Sequence, residues 1–272
     1  MRVGSVSSGM AKFVIVASTP LSQDGFHRDR PLGRSLALLR KGFDCFGVEL
    51  AFENSEGLSR VYNRAIEKHR SLKTDYLIFV HDDAFLNDLF LFEKLEKGFR
   101  AFDLIGIAGA TYLNLDSENV GWFHCPPHCR AGGVLHPVVD RKEGQFCHES
   151  FGAAPKRCLV VDGVFMALKM AALGEIRFDE QFTFDFYDLD FCLAMHKAGR
   201  AIGVAPILIT HLSQGASLGG RRFKLLERRF IEKHRRTNIP AGEPWRDAFS
   251  QYFVPQQRPS AKPTNGEYRL AD

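Results

Sequence analysis

The sequence predicts an α/β fold with a mixed, mainly parallel central sheet flanked by helices, and two observations carry that prediction. Short β-branched and aromatic runs recur along the chain, and between several of them lie segments whose apolar residues repeat at helical spacing. Strands that alternate with helices imply a parallel sheet covered on both faces. A chain of 272 residues with 45% hydrophobic content can bury the core that such a fold needs.

In chain order, the strand candidates are "KFVIVAS" (12–18), "CFGVELAF" (45–52), "DYLIFVH" (75–81), "DLIGIAGA" (103–110), "CLVVDGVFMALK" (158–169) and "IGVAPILITH" (202–211). The first helix follows the second strand: in "SEGLSRVYNRAIEKHRS", Leu58, Val61, Tyr62, Ala65 and Ile66 fall on one helical face. A second helix fits "NDLFLFEKLEKGF" (87–99). A third fits "FYDLDFCLAMHKAG", with Phe191, Ala194, Met195 and Ala198 as its apolar stripe and Gly199 as its stop. Residues 111–157, rich in Gly, Pro, His and Cys, read as a long irregular insertion. The main domain is therefore expected over 1–220, a basic helix over 221–238 and a flexible tail over 239–272, where apolar content is low.

Composition narrows the function. The net charge of +4 and the pI near 8.7 are mild and suggest no nucleic-acid partner. No run approaches the ~18 apolar residues of a membrane span, and "FVIVA" is too short for a signal-peptide core. A cytoplasmic protein with six reduced cysteines is the expectation. The basic segment "RRFKLLERRFIEKHRR" can pack through Phe223, Leu226 and Phe230 and leave a basic face to solvent or to an anionic membrane. Phosphate-loop, dinucleotide-loop and nucleophile-elbow motifs are all absent, which removes the main support for kinase, oxidoreductase and serine-hydrolase readings.

Chemistry concentrates where strands end. In "TDYLIFVHDDAFLND" (74–88) an apolar strand runs into His81, Asp82 and Asp83. Ligands of open α/β sheets bind beyond the carboxyl ends of the strands, and hard oxygen ligands there suit magnesium or manganese and so a phosphate-bearing ligand. The same residues also suit a helix N-terminus, where a cap contributes about 1 kcal/mol. Asp162 and Gly163 interrupt an apolar segment, so Asp162 needs a partner or a ligand. Asp185, Asp188 and Asp190 surround a helix start, and Asp188 shares a face with Cys192 and Met195, which turns it inward as a general base can be. Their charges also suit the helix dipole. His211 ends the last strand, before Ser213, Gln214 and Gly215.

Taken in order, "YLIFVHDDAF", "VDGVFMALK", "FDEQFTFDFYDLDFCLAMHKAGRAIGV" and "ILITHLSQG", preceded by "SRVYNRAIE", resemble family 2-like glycosyltransferases over roughly residues 12–235. The resemblance implies the glycosyltransferase A-type fold, with a Rossmann-like nucleotide-binding half. It implies a nucleotide-diphosphate sugar as donor, a uridine nucleotide being favoured, and a manganese or magnesium ion. It implies a carbohydrate or lipid-linked acceptor. Asp83 and His211 become the metal ligands, and Asp82 is assigned to the ribose or donor sugar. Asp188 becomes the base that activates the acceptor for inverting transfer, with Asp190 as fallback. Ser18, Thr19, Glu53 and Asn63 resemble positions near the nucleotide base and ribose, and Asp162 and Gly163 line the donor-sugar and acceptor side. Two departures stand out: histidine replaces the first acid of the triplet, and Tyr187 stands where a Glu precedes the base.

Two rival functions stay open. A metal-dependent phosphohydrolase can use a His-Asp pair with a distant His, and a non-catalytic nucleotide-sugar-binding relative would keep the site without turnover. The insertion's "FHCPPHC", with Cys147, His148 and Cys158, also holds possible zinc ligands, or it is a loop of free thiols and exposed imidazoles.

Overall fold

The structure is a computed structural model that describes residues 12–116, 119–138, 145–212 and 220–235. Ser213, Gln214, Gly215 and the expected tail 239–272 lie outside the described residues. In chain order the elements are β1 (Phe13–Ser18), α1 (Gln23–Asp29), α2 (Pro31–Gly42), β2 (Phe46–Ala51), α3 (Leu58–Ser71), β3 (Tyr76–Val80), β4 (Ala84–Leu86) and α4 (Leu91–Gly98). Then come β5 (Leu104–Gly106), β6 (Ala108–Ala110), short 3-10 turns at Trp122–His124 and Pro127–Cys129, β7 (Arg130–Pro137), β8 (Phe146–Gly152), β9 (Lys156–Arg157) and β10 (Val160–Val161). The remainder is β11 (Phe165–Lys169), α5 (Met170–Leu173), α6 (Tyr187–Lys197), β12 (Ile202–Val204), β13 (Ile209–His211) and α7 (Arg221–His234).

The larger sheet has the order β2-β1-β3-β11-β5-β12-β9. β1, β2 and β3 run parallel, β11 is antiparallel between β3 and β5, and β12 is parallel to β5. This is the mixed, mainly parallel α/β sheet the sequence predicts. From Leu77 to Val80 every side chain of β3 is fully buried, because strands stand on both of its edges and helices cover its faces. Tyr62 and Ile66 of α3 belong to the same core, and Tyr62 packs on Phe79 with ring centroids 4.5 Å apart.

A second sheet, β10-β6-β7-β13-β4 with β8 on β7, stands beyond the strand ends of the first. Three apolar runs expected as single strands are divided between the two sheets. "DLIGIAGA" bends at Ile107 into β5 and β6, where Gly106 lies against Val161 so closely that a Cβ would collide with its side chain. The runs around 158–169 and 202–211 break likewise, the first at Asp162-Gly163.

The irregular insertion 111–157 needs correction. It contains β7 and β8, paired antiparallel from Gly132↔Gly152 to Pro137↔Phe146. Its strand signal is weak because β8 is almost wholly exposed and β7 carries two glycines, a histidine and a proline, so neither shows apolar alternation. Two helices, α1 and α2, are absent from the sequence expectations; they pack on each other, and α2 packs on β4. Ser22 caps α1 by accepting from the Gly25 N–H, and Pro31 starts α2. The basic segment forms α7, whose Phe230 and Phe223 pack on Phe186 at 5.4 and 4.9 Å between centroids. Among the described residues, no helix is long and apolar enough to cross a membrane.

Candidate functional site

The backbone brings three strand ends together. β4 follows β3 after a turn closed by the Ala84 N–H donating to the His81 carbonyl, and it pairs antiparallel with β13, so His211 lies opposite Ala84 and beside Asp83. The Leu212 N–H donates to the Asp83 carbonyl, and the His81 N–H donates to the Val164 carbonyl across the β3–β11 edge. His81, Asp83 and His211 consequently each offer one ligand atom within 4.8 Å of one another, the sole such group of three found among the described residues. The Cys and His residues of the insertion do not converge in this way. The Cys125 thiol instead donates to the Tyr112 carbonyl at 2.9 Å, and none of the six cysteines is joined in a disulfide.

The charges of this group fit a cation. Asp83 Oδ1 and His211 Nε2 are both buried, lie 3.3 Å apart, and lack a hydrogen-bond partner at good geometry. Buried polar atoms are rarely left so, and two of them facing each other beside a third ligand form a fitting donor set for a divalent ion. Burial works to raise the Asp83 carboxyl, but the His211 and His81 rings outweigh it and hold the group below its ordinary value. Burial likewise works to lower His211, and Asp83 outweighs it, so the imidazole is held above its ordinary value.

Asp188 enters the same cleft from the first turn of α6. A space of about 350 Å³ is lined by His81, Asp83 and His211, and also by Trp122, Asp162, Gly163 and Asp188. Asp188 accepts from the Gly163 N–H at 2.8 Å and from the Leu189 N–H at 2.9 Å. Burial first, and then the neighbouring Asp162 charge, push its carboxyl from 3.8 up to about 7. The partner that Asp162 needs is found: the Trp122 indole donates to it at 2.7 Å and the Val164 N–H at 2.8 Å. A tryptophan forty positions upstream, in an exposed-looking loop, gave no sequence signal for that contact.

Other predicted residues divide. Asp82 turns away from Asp83: its Oδ2 lies 2.9 Å from Arg30 Nε as an ion pair, and its carboxyl is also bonded by Thr19. Burial nevertheless keeps Asp82 above its ordinary value. Ser18 ends β1, and Thr19, which is buried, donates its N–H to the Ala51 carbonyl at the end of β2. Glu53 follows β2 with a positive φ of 50°, its N–H donating to Leu21. These four residues share the carboxyl ends of β1, β2 and β3 with Arg30.

Two assignments need correction. Asn63 bonds both the N–H and the carbonyl of Phe178 at 2.9 Å, so its amide is engaged in clamping α3 to the segment before α6. Asp190, only 2% exposed, is bonded to His234 at 2.8 Å and paired with Lys233 at 2.7 Å. It secures α7 to α6 and is spent as a base. His81, left out of the expected metal ligands, stands in the cluster.

A family model described as a glycosyltransferase-like family matches residues 44–213. The crystal structure of A197 from STIV matches at a TM-score of 0.41 and 10% identity, covering 71% of this chain and 81% of that one. Comparison with curated proteins finds no match.

Proposed function

The chain belongs to the glycosyltransferase-like family, and from that premise we propose that it moves a sugar from a nucleotide-diphosphate donor to an acceptor hydroxyl, with inversion and with a divalent ion. The observation that carries this reading is a single cleft holding both the His81, Asp83 and His211 group and the carboxyl of Asp188. Asp83 and His211 hold manganese or magnesium, whose chemistry is to offset the charge that builds on the departing diphosphate. Asp188 accepts the proton of the acceptor hydroxyl as that oxygen attacks the anomeric carbon from the face opposite the nucleotide. A carboxyl pushed to about 7 suits a base at neutral pH. Asp162 and Gly163 line the sugar side, and Gly163 steadies Asp188 through its N–H.

Ser18, Thr19, Glu53 and Asp82 border the nucleoside, which the position beyond three parallel strand ends supports. A uridine nucleotide is the first donor class to test. With Asp82 engaged by Arg30 and Thr19, the adjacent His-Asp pair that a phosphohydrolase would use is not available. For the acceptor we favour a carbohydrate or a lipid-linked carbohydrate. Exposed Arg221, Arg228 and Arg229 surround the half-exposed Leu225 on α7, which supports peripheral contact with an anionic membrane.

The test is a panel of uridine and guanosine diphosphate sugars, with sugar and lipid-linked acceptors, assayed for released nucleoside diphosphate with manganese and with chelator. Product whose anomeric configuration is opposite to the donor's supports the proposal. Retained configuration would overturn the role of Asp188, and nucleotide binding without turnover on any acceptor would favour the non-catalytic reading.

A further inference from the structure

His81 is the least expected member of the cluster, and its hydrogen bonds define which of its nitrogens can serve an ion. Nε2 lies 2.8 Å from the Tyr187 hydroxyl. That hydroxyl donates to the Gly163 carbonyl at 2.9 Å. A carbonyl only accepts, so the Tyr187 proton is committed to Gly163, and the remaining contact requires His81 to donate from Nε2. The neutral imidazole then carries its lone pair on Nδ1.

The surroundings hold this arrangement in place. Tyr187 is 2% exposed, with its ring packed against Tyr62 and Phe178. A Cβ on Gly163 would collide with the Tyr187 hydroxyl, so only glycine brings this carbonyl within reach. The same glycine bonds Asp188 through its N–H. The Phe184 ring stacks over His81, with centroids 5.6 Å apart and planes 26° apart, and limits rotation of the imidazole.

We propose that Tyr187 is a positioning residue that fixes the His81 tautomer, so that His81 Nδ1 joins Asp83 and His211 as a third ligand and the site prefers manganese and other first-row transition ions to magnesium. The preference follows from the donor set: magnesium takes oxygen ligands and keeps its waters, whereas imidazole nitrogen suits the transition ions. This inference rests on the reading that the cleft holds an ion. It adds a residue that touches no ion and a choice between the two metals.

Calorimetric titration of the full chain with manganese and with magnesium alone tests it, for the wild type, Tyr187→Phe and His81→Ala. The wild type is expected to bind manganese at least about tenfold more tightly than magnesium, and Tyr187→Phe to weaken manganese roughly 10–100-fold, the usual cost of losing a hydrogen bond behind a ligand. His81→Ala is expected to remove the preference over magnesium. Long-range proton–nitrogen spectra of the metal-free wild type read the tautomer directly, whether or not the variants fold, and should show the proton of His81 on Nε2. A proton on Nδ1, equal affinity for the two ions, or a folded Tyr187→Phe that binds manganese as the wild type does would overturn the inference. In the last case the metal reading itself survives. A wild type that binds neither ion, alone or with uridine diphosphate, would remove both.

Discussion

Replacing Asp188 by Asn should abolish turnover and at the same time stabilise the protein at alkaline pH. In the folded chain the Asp188 carboxyl is pushed from 3.8 to about 7, by burial and then by Asp162. At roughly 1.4 kcal/mol per unit, keeping it charged above pH 7 costs the fold about 4 kcal/mol. Asn removes that charge but loses something too. Of the two N–H groups that Asp188 accepts, those of Gly163 and Leu189, the Asn carbonyl serves one and its NH₂ faces the other. An unsatisfied donor costs about 1–3 kcal/mol, which leaves a net gain of roughly 1–3 kcal/mol. For a chain of this size the gain corresponds to a melting temperature about 2–6 °C higher at pH 8.

The sign reverses with pH. Because the folded value lies above the unfolded one, the native state holds a proton that the unfolded chain has released between about pH 4 and 7. Wild-type stability from this group is thus full at low pH and is lost as pH rises through about 7, a loss the Asn variant escapes. Thermal melts of both proteins in metal-free buffer at pH 5 and pH 8, beside turnover at pH 8, make the test. An Asp188→Asn protein that melts lower at pH 8, shows the same difference at both pH values, or turns over at the wild-type rate would refute this role for Asp188.

Three further outcomes follow from the same geometry. Asp83→Ala removes the anionic ligand itself, and manganese affinity measured by calorimetry should fall by more than the roughly 10–100-fold that loss of a supporting hydrogen bond costs. Asp190→Ala strands the buried His234 and the adjacent Lys233, and urea denaturation should show a loss of roughly 3 kcal/mol with manganese binding unchanged. Arg228→Gln combined with Arg229→Gln should weaken co-sedimentation with phosphatidylserine-rich vesicles by roughly 2 kcal/mol, about thirtyfold, with no effect on nucleotide binding.

How much of this could be read beforehand depended on whether burial left a pattern. β3 was legible because four consecutive buried residues precede His81, and α3 because Val61, Tyr62, Ala65 and Ile66 recur on one face. Asp188 was legible as an inward carboxylate at the start of a helix. β7 and β8 were not, since an exposed hairpin needs no apolar alternation and its pairing lies in backbone hydrogen bonds. Asp188 and Asp190 look equivalent in "YDLDF", and only the packing of α7 separates them, by delivering His234 to Asp190. The Trp122–Asp162 and His81–Tyr187 contacts join positions 40 and 106 residues apart, and no local spacing reports such a pairing.

The central claim is that this cleft binds a nucleoside diphosphate through an ion held by Asp83 and its neighbours. Its most direct test is a thermal-shift titration of the wild type and Asp83→Ala with uridine and guanosine diphosphates, each with and without manganese. A ligand that binds only the folded chain raises its stability by about 2.7 kcal/mol at a hundred times its Kd. A rise is expected for one nucleotide, requiring manganese and disappearing in Asp83→Ala. A rise that is the same without the ion, or no rise with either nucleotide, would contradict it.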